Sequence, residues 1–241
     1  MNRLLAPRLR RLAAWGTVAA LIVLTSGWRL TRAGDPPRGP HASPQPAAAA
    51  AAKADDAKSK WTSLIDGQTL KGWKSTEFGG EGSVEVKDGA ILLGVGNDLT
   101  GVNYERPVPH TNYEVSLEAR RVDGSDFFCG LTVPVKNNPC SLIIGGWGGG
   151  VCGLSSIDGL DASENSTTKY RDFETGRWYT IRLRVTDARI EAWIDKEQIV
   201  NQPLAGKKIS IRSEVEASRP FGIASYRTLA ALRNIRLREL K

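Results

Sequence analysis

The chain has 241 residues and a formal net charge of +7. Ten Lys and Arg and only three Asp precede Trp61, whereas the remainder carries 23 basic and 23 acidic side chains. The second part therefore lacks the surplus of positive charge that nucleic acid requires, and nucleic acid is not an expected partner.

The leader opens with Arg3, Arg8, Arg10 and Arg11, runs uncharged from Leu12 to Trp28, and meets Arg29 and Arg32. As a helix, those 17 residues would span roughly 25 Å, the short edge of what a bilayer core needs. Two readings stay open. Trp15 and Trp28 near the ends of the run fit an uncleaved anchor. Small residues at Thr25 and Gly27, or Thr31 and Ala33, fit a cleaved signal. Either way the protein is expected to be exported, held at the membrane by residues 1–33 or secreted.

Residues 34–60 are rich in Pro and Ala and hold no apolar side chain larger than these. Such a tract cannot bury enough surface to offset its ordering entropy, so it reads as a disordered spacer. The folded domain is expected over residues 61–241.

From Trp61 onward the pattern is short alternating runs between turn signals, which is all-β. Expected strands include Ser83–Val86, Ala90–Leu93 and Asn112–Arg121. In the last of these Tyr113, Val115, Leu117 and Ala119 share one face, and Glu114, Ser116, Glu118 and Arg120 the other. Phe127–Val133, Ser141–Ile144 and Trp178–Thr186 follow. The last pairs with Ile190–Ile194 across a turn at Asp187 and Ala188. Phe221–Ser225 and Leu232–Leu237 close the chain. Asp-Gly pairs beginning at Asp66, Asp88, Asp123 and Asp158 mark tight turns. Ten to thirteen strands suggest two stacked sheets in a jelly-roll sandwich.

Three segments carry candidate chemistry. Gly145–Gly150, interrupted by Trp147, has neither the Lys-Ser/Thr nor the following helix of a phosphate loop. It reads as a flexible hairpin tip, or as a bare floor on which Trp147 offers a ring to a sugar. The loop Ser155–Asn165 places Asp158, Asp161 and Glu164 at spacings of three. A solvated loop is the simpler reading; a Ca²⁺ site is the other, without EF-hand spacing. Near the C-terminus Arg219, Tyr226 and Asn234 fall close to strand ends, where Arg219 reads as a surface ion pair or as the holder of a carbohydrate oxygen or an oxyanion, and Tyr226 and Asn234 as ligand contacts.

Cys129, Cys140 and Cys152 show no metal spacing, and the domain has one histidine, His110. Neither a zinc site nor a Cys–His nucleophile pair is expected. The cysteines read as small buried side chains with at most one disulfide.

The domain resembles the 3-keto-disaccharide hydrolase family. The opening Leu64-Ile65-Asp66-Gly67-Gln68-Thr69-Leu70-Lys71-Gly72-Trp73 is similar to the family's start, and Val86-Lys87-Asp88-Gly89 to its next turn. Gly176-Arg177-Trp178, Ala192-Trp193-Ile194-Asp195 and Leu232-Arg233-Asn234-Ile235 resemble its later strands.

The resemblance implies a concanavalin-like jelly roll and cleavage of 3-keto-glycosides by lyase or hydratase chemistry. A ketone at C3 acidifies the C2 proton, so a base, an enolate partner and a leaving C1 substituent suffice. The family's polar strand residues are replaced here by Phe128-Cys129-Gly130 and Ser141-Leu142-Ile143-Ile144. The candidate base is then Asp126, Asp161 or Glu164, with Arg219 as partner. The alternative is a non-catalytic glycan-binding or laminin-G-like module.

Overall fold

The computed structural model describes residues 60–241. The expected signal or anchor helix, and all of the linker but Lys60, lie outside the described residues. Within them, no helix is long and apolar enough to cross a membrane.

Fifteen strands follow one another: β1 (Thr62–Ser63), β2 (Trp73–Ser75), β3 (Val84–Lys87), β4 (Ala90–Leu93), β5 (Leu99–Tyr104), β6 (Tyr113–Asp123), β7 (Cys129–Val135), β8 (Asn138–Gly146), β9 (Val151–Ser155), β10 (Lys169–Tyr170), β11 (Tyr179–Val185), β12 (Arg189–Ile194), β13 (Glu197–Pro203), β14 (Gly222–Tyr226) and β15 (Leu229–Glu239). A short 3₁₀ helix, Ser213–Ser218, precedes β14. The strands make two antiparallel sheets. The eight-stranded sheet runs β13-β12-β11-β6-β15-β4-β3, with β1 added along β15. The seven-stranded sheet runs β10-β9-β8-β7-β14-β5-β2.

Alternation decides which side chains meet between the sheets. From the larger sheet, Tyr113, Val115, Leu117 and Ala119 of β6 and Ile181, Leu183 and Val185 of β11 enter one apolar core. From the smaller sheet come Leu131 and Val133 of β7, Leu142 and Ile144 of β8, and Ile223 of β14. Tyr113 is wholly buried, and its hydroxyl donates to the Pro134 carbonyl of the facing sheet at 2.6 Å. A buried phenol needs such a partner, and this one also ties the sheets together.

The expected strands are present, and the Asp187–Ala188 turn joins β11 to β12 in the expected register, with Val185 opposite Ile190. The count is higher than expected because strands without alternation were not legible. All six residues of β5 are buried, so no polar face marks it. β13 is the polar outer strand of its sheet. The three cysteines are buried and unpaired, so the disulfide allowed for above is absent. Burial pushes the Cys152 thiol up to about 11 and the Cys140 thiol to about 12.

Candidate functional site

A cavity of about 610 Å³ lies against the outer face of the seven-stranded sheet. Its floor follows from small residues in register. Gly101 of β5 pairs with Ala224 of β14, Ala224 pairs with Gly130 of β7, and Gly130 with Ile143 of β8. Two rings occupy the space these leave. A Cβ at Gly101 would sit 3.1 Å from the Phe78 ring, and one at Gly130 would sit 3.0 Å from the Phe127 ring. Tyr226 stacks on Phe127 with centroids 5.9 Å apart. The floor is thus aromatic, laid over a strip of sheet almost without side chains. Ser141 of β8 and Ser155 of β9 add hydroxyls to the lining.

One wall combines two loops. Trp147 stands at the tip of the β8–β9 hairpin, 45% exposed, in left-handed backbone at φ +49. Asp126, in the β6–β7 loop, reaches it: one carboxylate oxygen accepts the Phe127 N–H at 2.7 Å and the other the Gly148 N–H at 3.1 Å.

Beneath both loops lies Arg121. It occupies the fifth inward position of β6, after four apolar side chains, and only 6% of it is exposed. Its guanidinium donates to the carbonyls of Asp126 (3.1 and 3.2 Å), Gly145 (3.3 Å) and Gly149 (3.0 Å). A Cβ at Gly145 would stand 2.9 Å from Arg121 Nη2, and at Gly149 3.3 Å. The glycine run is therefore a carbonyl cradle around a buried cation, which neither sequence reading of it contained. The available signal was an arginine in register with an apolar stripe.

The other wall is ionic. Arg212 binds Asp161 through Nη1 and Glu214 through Nη2, the latter at 2.6 Å. Asp161 also accepts from Ser155 Oγ and from the Ala162 N–H. Arg212, its principal partner, holds the Glu214 carboxyl down at about 2. The same bonds push the guanidinium's own pKa up, the one to Glu214 most. The loop bearing Asp161 is shaped by Asn165, whose amide donates to the carbonyls of Leu154, Leu160 and Asp161.

Of the residues singled out from sequence, Asp126, Trp147 and Tyr226 line the cavity, and Asp161 backs it through Arg212 and Ser155. Glu164 is exposed and does not line it. Asp158 is turned to Lys207 Nζ and the Lys208 N–H, at 2.7 and 2.9 Å. Among the described residues no group of three or more His, Cys, Asp or Glu side chains is placed to hold a metal ion. Arg219 is exposed and paired with Glu216 at the end of the 3₁₀ turn. Asn234 belongs to the other sheet, where its amide donates to Glu118 at 3.0 Å. Neither Arg219 nor Asn234 shares the cavity, because proximity to a strand end does not say which face or sheet is served. Arg212, Phe78 and Phe127 complete the site. No pattern in the sequence marked Arg212, which sits in an irregular segment between β13 and the 3₁₀ turn.

Two antiparallel sheets with a ring-floored cleft on one outer face define a jelly-roll sandwich of the galectin-like kind. Within that class, the sequence matches the model of the 3-keto-alpha-glucoside-1,2-lyase-like domain over residues 60–238, and the chain belongs to this family. The fold is similar to that of a protein of unknown function with galectin-like fold from Bacillus subtilis (TM-score 0.52, 10% identity, 70% of this chain and 90% of that one). It is also similar to a structure from work on endo-acting O-glycanases of prominent members of the human gut microbiota (TM-score 0.51, 11% identity, 76% and 99%). A third is the Crh5 transglycosylase in complex with NAG (TM-score 0.50, 8% identity, 76% and 83%). At these identities the likeness is one of fold. No curated protein matches the sequence.

Proposed function

We propose that the cleft binds a glycoside and that the protein cleaves 3-keto-glycosides by elimination, with Asp126 as base and Arg212 in the role first considered for Arg219. The observation that carries this reading is the joining of a carboxylate and a sugar-stacking ring. The Asp126 side chain is bonded to the backbone of the hairpin that presents Trp147, and both line one cavity with Arg212. A pyranose laid on the rings exposes its C–H faces to them and its oxygens to the ionic wall. Asp126 takes the proton from C2, and the electron pair forms the enolate, whose oxygen Arg212 stabilises. Collapse of the enolate restores the ketone, forms the C1–C2 double bond and breaks the C1–O bond. The departing oxygen takes a proton from the Asp126 acid or from water. The step is redox-neutral and needs one base, which distinguishes it from hydrolysis by two opposed carboxylates. In this reading the leader places the activity outside the cell membrane.

The test is incubation of the protein with a 3-keto-glucoside and with the parent glucoside, followed by chromatography. Release of the aglycone from the keto compound alone is expected. Absence of turnover above buffer, together with sugar binding that disappears in Trp147→Ala, would sink the enzymatic reading and leave a glycan-binding module. That second reading is favoured by the floor itself, where β7 and β8 offer Gly130 and Ile143 rather than charged groups, and by the commitment of Asp161 and Glu214 to Arg212.

A further inference from the structure

The outer face of the eight-stranded sheet is built on another principle. Along its three central strands, the outward positions hold six arginines, Arg182 and Arg184 on β11, Arg120 on β6, and Arg233, Arg236 and Arg238 on β15. Only two glutamates stand among them, Glu114 and Glu118. Three tryptophans lie under these arginines, two guanidiniums to each ring. Arg120 and Arg233 cover Trp178 at 4.6 and 4.1 Å, Arg182 and Arg184 cover Trp193 at 3.9 and 5.7 Å, and Arg236 and Arg238 both cover Trp61 at 4.8 Å. Glu114 is wholly buried beneath Arg182, Arg184 and Arg238, and Glu118 binds Arg233 at 2.7 Å. Arg236 is exposed.

Residues 61–241 carry equal numbers of each sign, so an excess on this face is balanced elsewhere. Asp98, Asp126 and Glu214 line the cleft, against one lining arginine, Arg212.

We propose that this arginine–tryptophan face docks on an anionic phospholipid surface. Three observations select that occupant. The face is a broad sheet surface on which six arginines outnumber two glutamates; Arg184 and Arg238 are largely covered, and Arg182, Arg233 and Arg236 are the more open ones that would meet a plane of phosphates. A guanidinium stacked on an indole is weakly hydrated, and that of the exposed Arg236, which binds neither Glu114 nor Glu118, can offer in-plane donors to phosphate. The chain also enters the domain on this face: Trp61 lies under Arg236 and Arg238, and β1 pairs with β15 at Ser63 and Arg236. The segment before Trp61 carries ten basic against three acidic residues and the uncharged run Leu12–Trp28. A leader held at a membrane would keep the domain within a spacer's reach of the bilayer. A second copy of the same face is disfavoured because it would set cation against cation. The inference is independent of the cleft's chemistry.

The test uses the full chain and vesicles of phosphatidylcholine alone or with phosphatidylserine, at low and high salt. The variant Arg182→Gln/Arg233→Gln/Arg236→Gln keeps the whole leader, so its difference from wild type reports the face alone. Each basic side chain at such a surface contributes about fivefold in partitioning. The triple variant should therefore lose about a hundredfold on the anionic vesicles at low salt. It should match wild type on neutral vesicles and leave cleavage of a soluble 3-keto-glucoside unchanged. The corresponding triple Lys variant should retain most of the binding. Glu114 keeps Arg184 and Arg238 in both, which protects the fold. Should the Gln triple not fold, Arg236→Gln alone should lose about fivefold. Equal binding of wild type and variant to anionic vesicles would overturn the proposal and assign the attraction to the leader. Loss of binding to a soluble polyuronate, with vesicle binding intact, would overturn it in favour of a polysaccharide.

Discussion

The two outer faces of the sandwich are made of the same antiparallel strands yet differ in kind. On the seven-stranded sheet, outward positions in mid-sheet are Gly101, Ala224 and Gly130, and the space above them becomes a cleft floored by Phe78 and Phe127. On the eight-stranded sheet they are long arginines that lie down on tryptophans and close the surface into a plate. Side-chain length at every second residue is enough to decide between a container and a platform.

The sharpest way to break the comparison is to disable one face and leave the other intact. Asp126→Asn removes the proposed base while its oxygen still accepts one backbone N–H. Cleavage of a 3-keto-glucoside should fall by about 10²–10⁴-fold, with vesicle binding unchanged, as measured by initial rates and co-sedimentation. Next in size is Arg121→Met. Three carbonyls lose their donor, and the Asp126 and Trp147 loops lose their common anchor. Unfolding in urea should show a loss of about 2–4 kcal/mol, and sugar binding should weaken beyond what stability alone dictates. Trp147→Ala should cost about 1–2 kcal/mol of sugar binding by titration calorimetry and leave the urea midpoint in place, because the ring is half exposed.

The smallest effect is acidic. Glu214 is held at about 2 against an ordinary 4.5, chiefly by Arg212. A lowered folded pKa means that its stabilisation is complete above 4.5 and disappears as pH falls towards 2. The side chain is 54% exposed, so screening keeps the contribution below about 1 kcal/mol. Urea midpoints of wild type and Glu214→Gln should differ at neutral pH and converge over that window.

The legibility of the molecule followed the same division. Strands with one polar face, such as β6 and β11, announced themselves by alternation. β5 did not, since it is buried throughout and touches Phe78 on one side and the core on the other. In the cleft, Trp147 was visible as a ring in a glycine run and Asp126 only as one of three candidate bases, whereas Arg212 is an arginine among irregular neighbours. On the opposite face the outward register of Arg182, Arg184, Glu114 and Glu118 was plain from sequence. What sequence did not disclose was that Trp61, Trp178 and Trp193, from three separate segments, would lie beneath those arginines.

Arg121 has a consequence for redesign. It originates on the eight-stranded sheet, yet it fastens both loops that wall the cleft of the other sheet, at Asp126 and at Gly145 and Gly149. Segments 124–128 and 145–150 therefore form one transplantable unit. A graft intended to alter specificity has to carry both, together with the arginine, because a length change in either loop would pull its carbonyls off the shared cation.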